Sequence, residues 1–164
     1  MATQPTLDDA LAVVERAYDF RGHAYLEWMR APGTTREAFR RSQVPFRFAV
    51  EAFSQALAGV LAHVPRLEDR MLLAENIAEE HGRGVPRESH KYTFIEYLVA
   101  LGATSQELEL PCPVWVTAFN HGLRNLCLAQ PYEHGAAALG VIEKVYVDVS
   151  GEIARAIVDR GWVE

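Results

Sequence analysis

The sequence predicts an all-α fold, a compact helical bundle, on three observations. Apolar residues recur at three- and four-residue spacing along most of the chain, and no stretch alternates with a period of two. Proline and glycine stand where such helices should stop. With 164 residues, 49% of them apolar, the chain is long enough to bury one core, so a single helical domain over 1–164 is expected.

The first helix is expected from about Leu7 to Arg30, opened by Thr6 and closed by Ala31-Pro32-Gly33. Thr34 and Glu37 have the spacing of a capping box and open the second. That helix reaches about His63 with a kink or break at Pro45, which removes a backbone donor. Beyond the proline, Phe46, Val50, Phe53, Leu57, Val60 and Val64 form a core stripe. Pro65 ends the segment, and the third helix covers about Leu67 to His81, with Leu67, Met71, Ala74 and Ala78 inward and Gly82 as the stop.

The fourth helix runs from about His90 to Leu101, before Gly102. Thr104 and Glu107 suggest a second capping box and a short turn of helix. Pro111-Cys112-Pro113 is a rigid break ahead of the fifth helix, about Val114 to Ala129. The last spans about Glu133 to Arg160 and carries Leu139, Ile142, Tyr146, Val149, Ile153 and Ile157 on one face.

Charge and composition exclude several functions. A net charge of −6 disfavours nucleic acid, which needs a basic face. The densest basic group, Arg36, Arg40, Arg41 and Arg47, has acids around it. No apolar run approaches the roughly 20 residues that cross a bilayer, so no membrane partner is expected. The first residues lack the regions of a signal peptide, and Cys112 and Cys127 form neither a metal pair nor a disulfide framework. A cytoplasmic location is the expectation. There is no phosphate-binding glycine loop.

Chemistry points to carboxylates and imidazoles. Glu143 shares a helical face with Leu139 and Tyr146, and a carboxylate facing a core is costly unless it is protonated, paired or bound to a cation. Glu79 and Glu80 flank the apolar stripe of the third helix on opposite sides, and periodicity does not choose between them. Acids near a helix C-terminus oppose the macrodipole, so neither is there for helix stability; solvation is the bland alternative for both. His90 follows Ser89, a plausible N-cap, and a lone histidine there also fits packing or capping. His23, His63, His81, His121 and His134 make no His-x-x-x-His or Glu-x-x-His pair.

Taken together, Ala78-Glu-Glu-His-Gly82, the run from His90 to Val99-Ala-Leu-Gly-Ala-Thr-Ser-Gln-Glu-Leu-Glu109, and Gly135-Ala-Ala-Ala-Leu-Gly-Val-Ile-Glu143 resemble the heme-oxygenase-like diiron oxidases, the iron-containing redox enzymes. The resemblance runs from about His23 to Glu143. It implies Glu79, His90 and Glu143 as iron ligands, two iron ions in a complete site, and dioxygen with a small organic molecule as substrates. It also implies a homodimer. A tyrosine and a lysine consumed by one relative are matched by Leu26 and Ile153, so an external substrate is expected. The family's later His-x-x-x-Asp-x-x-His helix has no counterpart before Glu164, so the chain is expected to be incomplete at its C-terminal end.

Two further readings stand beside this one. A metal-free member of the same fold, a thiaminase-like hydrolase or a cofactor-independent oxidase, would in the first case need an activated cysteine, for which Cys127 is the candidate. A non-catalytic helical interaction module would leave the acids solvated.

Overall fold

The computed structural model describes residues 7–163 apart from 19 and 21, and it is all-α, with no strand among the described residues. Thr6, expected to open the first helix, lies outside the described residues. The first helix proves to be two, α1 (Leu7–Ala17) and α2 (Ala24–Arg30). His23 restarts the helix, because its Nδ1 accepts the Tyr25 backbone N–H at 3.1 Å and so satisfies one of the donors a helix start leaves open.

The next helix, α3 (Arg36–Gln43), is capped one residue later than expected. Thr35, not Thr34, accepts the Ala38 N–H at 3.1 Å, and Glu37 pairs instead with Arg41 at 2.7 Å. Thr34 is buried, and its hydroxyl donates to the Trp28 carbonyl. Pro45 breaks the helix as expected. A 3₁₀ turn over Val44–Phe46 leads into α4 (Arg47–Leu61). The remaining helices are α5 (Leu67–Glu80), α6 (His90–Ala100), α7 (Ser105–Leu108), α8 (Val114–Ala129) and α9 (Tyr132–Asp159). The capping box at α7 is complete: Thr104 Oγ1 accepts the Glu107 N–H at 3.2 Å, and Glu107 Oε2 accepts the Thr104 N–H at 2.9 Å. That backbone N–H, with the Arg40 guanidinium 2.8 Å away, holds the Glu107 carboxyl below the usual carboxylate range.

Contacts divide the chain into two compact units. One is Thr35–Leu139; the other combines the described residues up to Thr34 with Gly140–Trp162. In the first, α4 packs against α5, α6 and α8, and Phe39, Leu57, Val60, Leu98, Leu101 and Cys127 are buried. Two glycines permit close helix approach there. A Cβ on Gly59 would press on Leu128, and one on Gly135 would lie 2.8 Å from Val60 Cγ2 and 3.0 Å from Cys127 Cα. Gly135→Ala is expected to cost about 1–2 kcal/mol by overpacking, read as a lower thermal midpoint. An unchanged midpoint would show that the helices part easily.

The α5 stripe is the main departure in packing. Leu67 and Met71 are 60% and 63% exposed, and the residue α5 does bury is Glu80. No helix among the described residues is long and apolar enough to cross a membrane.

Arginines tie distant backbone together within each unit. Arg36 donates to the carbonyls of Ala100 (2.7 Å) and Leu101 (3.1 Å), closing α6. Arg47 donates to Leu108 (2.8 Å) and Leu110 (2.6 Å), beyond α7. In the other unit Arg160 reaches Arg30, Ala31 and Thr34 at 2.8–2.9 Å, closing α2. These cations serve carbonyls that a helix end leaves without intrahelical donors.

Candidate metal centre

The junction of α5 and α6 is a tightly turned loop. Gly82, Arg83 and Gly84 all have positive φ, at +64°, +49° and +90°. Gly82 is buried, and a Cβ there would lie 2.6 Å from both the Glu88 carbonyl carbon and the Ser89 nitrogen. Only glycine allows the chain to fold back so closely. Ser89 occupies the N-cap position of α6, but its hydroxyl donates to Pro86 O at 2.6 Å and closes the loop instead of capping the helix.

This turn brings His90 against the end of α5. Its Nδ1 lies 2.8 Å from Glu80 Oε1; the Glu80 side chain is 6% exposed and that of His90 55%. A buried carboxylate requires such a partner. With Nδ1 as the donor, the bond fixes the imidazole tautomer and leaves the Nε2 lone pair available to a ligand.

The other expected ligands stand elsewhere. Glu79 is exposed and paired: its Oε1 takes the Arg83 Nη2 at 2.7 Å, while Glu75 takes Nη1 at 2.5 Å. Those two carboxylates, Glu75 foremost, hold the Arg83 guanidinium above its usual pKa, and they anchor the one non-glycine residue with positive φ among those described. Glu143 is half-buried on α9, in the unit that does not contain the α5–α6 junction. His81 sits at the α5 C-cap with Nε2 3.1 Å from Ser54 Oγ. Periodicity left Glu79 and Glu80 equal and the resemblance favoured Glu79; the loop geometry places Glu80, not Glu79, against His90.

The fit to iron is right in kind and short in number. Carboxylate and imidazole suit non-heme iron, which takes several of them per ion, and here one of each is in contact. Among the described residues no three His, Cys, Asp or Glu side chains gather closely enough to hold a metal.

Two other features bear on chemistry. Burial pushes the Cys127 thiol up, so the cysteine a thiaminase-like reading would activate is a fully buried thiol. A cavity of about 160 Å³ in the unit of the chain ends is lined by Phe20, Leu26, Asp148, Val149, Glu152 and Arg155. It is smaller than the roughly 300–1,000 Å³ of a typical small-molecule site, and no expected ligand lines it.

The model of a family described as iron-containing redox enzyme matches residues 40–162, which takes in the α5–α6 junction and Glu143. No curated protein matches the chain. With an all-α fold of heme-oxygenase-like type and a family match over most of its length, the chain belongs to the iron-containing redox enzymes.

Proposed function

We propose that this protein is a non-heme diiron oxidase or oxygenase that uses dioxygen to oxidise a small organic metabolite. The observation that carries the reading is the buried Glu80 carboxylate on His90 Nδ1, at the end of a helix it does nothing to stabilise. Family membership supports it. His90 would bind iron through Nε2, oriented by Glu80. From α5 we assign Glu80 to the centre in place of Glu79, because Glu79 could serve only by releasing Arg83. When bound, iron would supply the one-electron redox steps that dioxygen chemistry needs. The residues of this chain hold the imidazole in register and keep one carboxylate out of water.

The test is iron content per chain in the purified protein. Wild type is expected to retain iron, His90→Ala and Glu80→Gln to lose most of it, and Glu79→Gln to keep it. Loss in Glu79→Gln with retention in Glu80→Gln would reverse the α5 assignment. A wild-type protein that takes up no iron would overturn the reading.

A further inference from the structure

Glu80 and His90 are each followed by a residue that one and the same helix holds. His81, next after Glu80, has its Nε2 3.1 Å from Ser54 Oγ on α4. Lys91, next after His90, donates through Nζ to Glu51 Oε1 at 2.5 Å, also on α4. Glu51 and Ser54 are three residues apart, so they are neighbours on one face of that helix. The end of α5 and the start of α6 are thus tied to adjacent points of α4.

Apolar packing does little to fix the end of α5. Glu80 is the one buried residue on that helix, while Leu67, Met71 and Leu72 are exposed. The link over 81–89 does not set the geometry by itself either. It passes through Arg83 at φ +49°, a conformation that non-glycine residues rarely adopt and that persists where surrounding contacts impose it.

Ser54 is the stronger of the two anchors. A serine inside a helix ordinarily returns its hydroxyl to the carbonyl one turn back, whereas this buried one crosses to another helix. Imidazole in either neutral tautomer can share the bond, since a hydroxyl both donates and accepts. The Glu51–Lys91 pair is 46% and 43% exposed, so water and salt screen it.

We propose that Ser54 is a positioning residue for the Glu80–His90 pair, with Glu51 in a lesser share. In this role α4 is a template: by gripping the residue beside each partner, it sets Glu80 Oε1 against His90 Nδ1. The role rests on the metal reading given for the pair, and neither anchor would touch the iron.

NMR of the metal-free protein tests the template, and binding of ferrous ion alone tests its purpose. In wild type the His90 Nδ1–H is expected as a downfield resonance, held from fast exchange by Glu80 and assigned by its loss in His90→Gln. Ser54→Ala should lose that resonance, although the Ser54 hydroxyl bonds to neither partner. It should also bind ferrous ion about tenfold to a hundredfold more weakly, as when an outer contact to a metal ligand is removed. His81→Leu should do the same while leaving the α4 core intact, which covers a Ser54→Ala protein that fails to fold. His81→Gln should keep both properties, because an amide can still meet the Ser54 hydroxyl. The wild-type resonance surviving in Ser54→Ala or His81→Leu overturns the proposal, as does a lost resonance with undiminished ferrous-ion affinity. His81→Gln behaving like His81→Leu overturns it too, since the imidazole itself and not its hold on Ser54 would then matter. A wild type that binds no ferrous ion, with the resonance responding as described, sinks the metal reading and leaves the template standing.

Discussion

Gly82→Ala is expected to destabilise the protein by about 2–5 kcal/mol, the largest effect of any single methyl group at the α5–α6 junction. Two costs add. A non-glycine residue at φ +64° carries a penalty of about 1–2 kcal/mol. The new Cβ would also sit 2.6 Å from backbone atoms of Glu88 and Ser89, which cannot move as the tip of a side chain can. Overpacking of that kind costs about 1–3 kcal/mol. Gly84→Ala separates the two terms, because its φ is +90° but nothing lies within 4 Å of its Cβ. Urea denaturation of both variants measures the difference. Equal losses would show that the close approach of the loop contributes nothing.

Arg47→Met is expected to cost about 2–3 kcal/mol. The guanidinium donates to the carbonyls of Val44 at 3.1 Å, Leu108 at 2.8 Å and Leu110 at 2.6 Å, and it stacks on Phe48 at 3.8 Å. Burial lowers its pKa, with Cys112 and Glu51 opposing, but it stays charged at any physiological pH. A hydrogen bond to a charged group contributes about 1.5–3 kcal/mol, and because the bonds to Val44 and Leu108 are only part-buried and that to Leu110 is exposed, water screens all three and their sum stays near the value of one such bond. Methionine keeps the apolar stem and removes the fork. Arg47→Lys, a compact point charge, should recover less than half of the loss. A lysine variant as stable as wild type would mean that charge alone holds the α7 end.

Much of this fold was legible in the sequence because its punctuation is local. Pro113 before α8 and Pro131 after it bound a helix whose limits, Val114 and Ala129, match the expectation. The capping box at Thr104 and the stop at Gly82 are likewise short-range signals. The break between α1 and α2 was missed because it depends on an imidazole accepting a backbone N–H, which no apolar pattern reports. The cap at α3 slipped by one residue because Thr34 and Thr35 are chemically alike, and only the burial of Thr34 separates them.

The site was half legible. The sequence singled out the α5–α6 junction, yet Glu79 and Glu80 flank the same stripe, and which of them meets His90 depends on a loop whose shape rests on three successive left-handed residues. The arginines were read as a basic group surrounded by acids. Arg40 and Arg41 do pair with acids, Glu107 and Glu37, whereas Arg36 and Arg47 serve carbonyls some sixty residues further along the chain, and such pairings leave no local trace.

The Glu80–His90 contact also sets two helices against themselves. An anion occupies the electronegative tail of α5, and a base stands at the electropositive head of α6, so each end forgoes the residue that would suit it. Selection for durability alone would have put an apolar pair in this spot, since swapping a buried polar couple for well-packed hydrocarbon is often neutral or favourable. If the centre proposed above forms here, this is a corner where ruggedness is traded for chemistry.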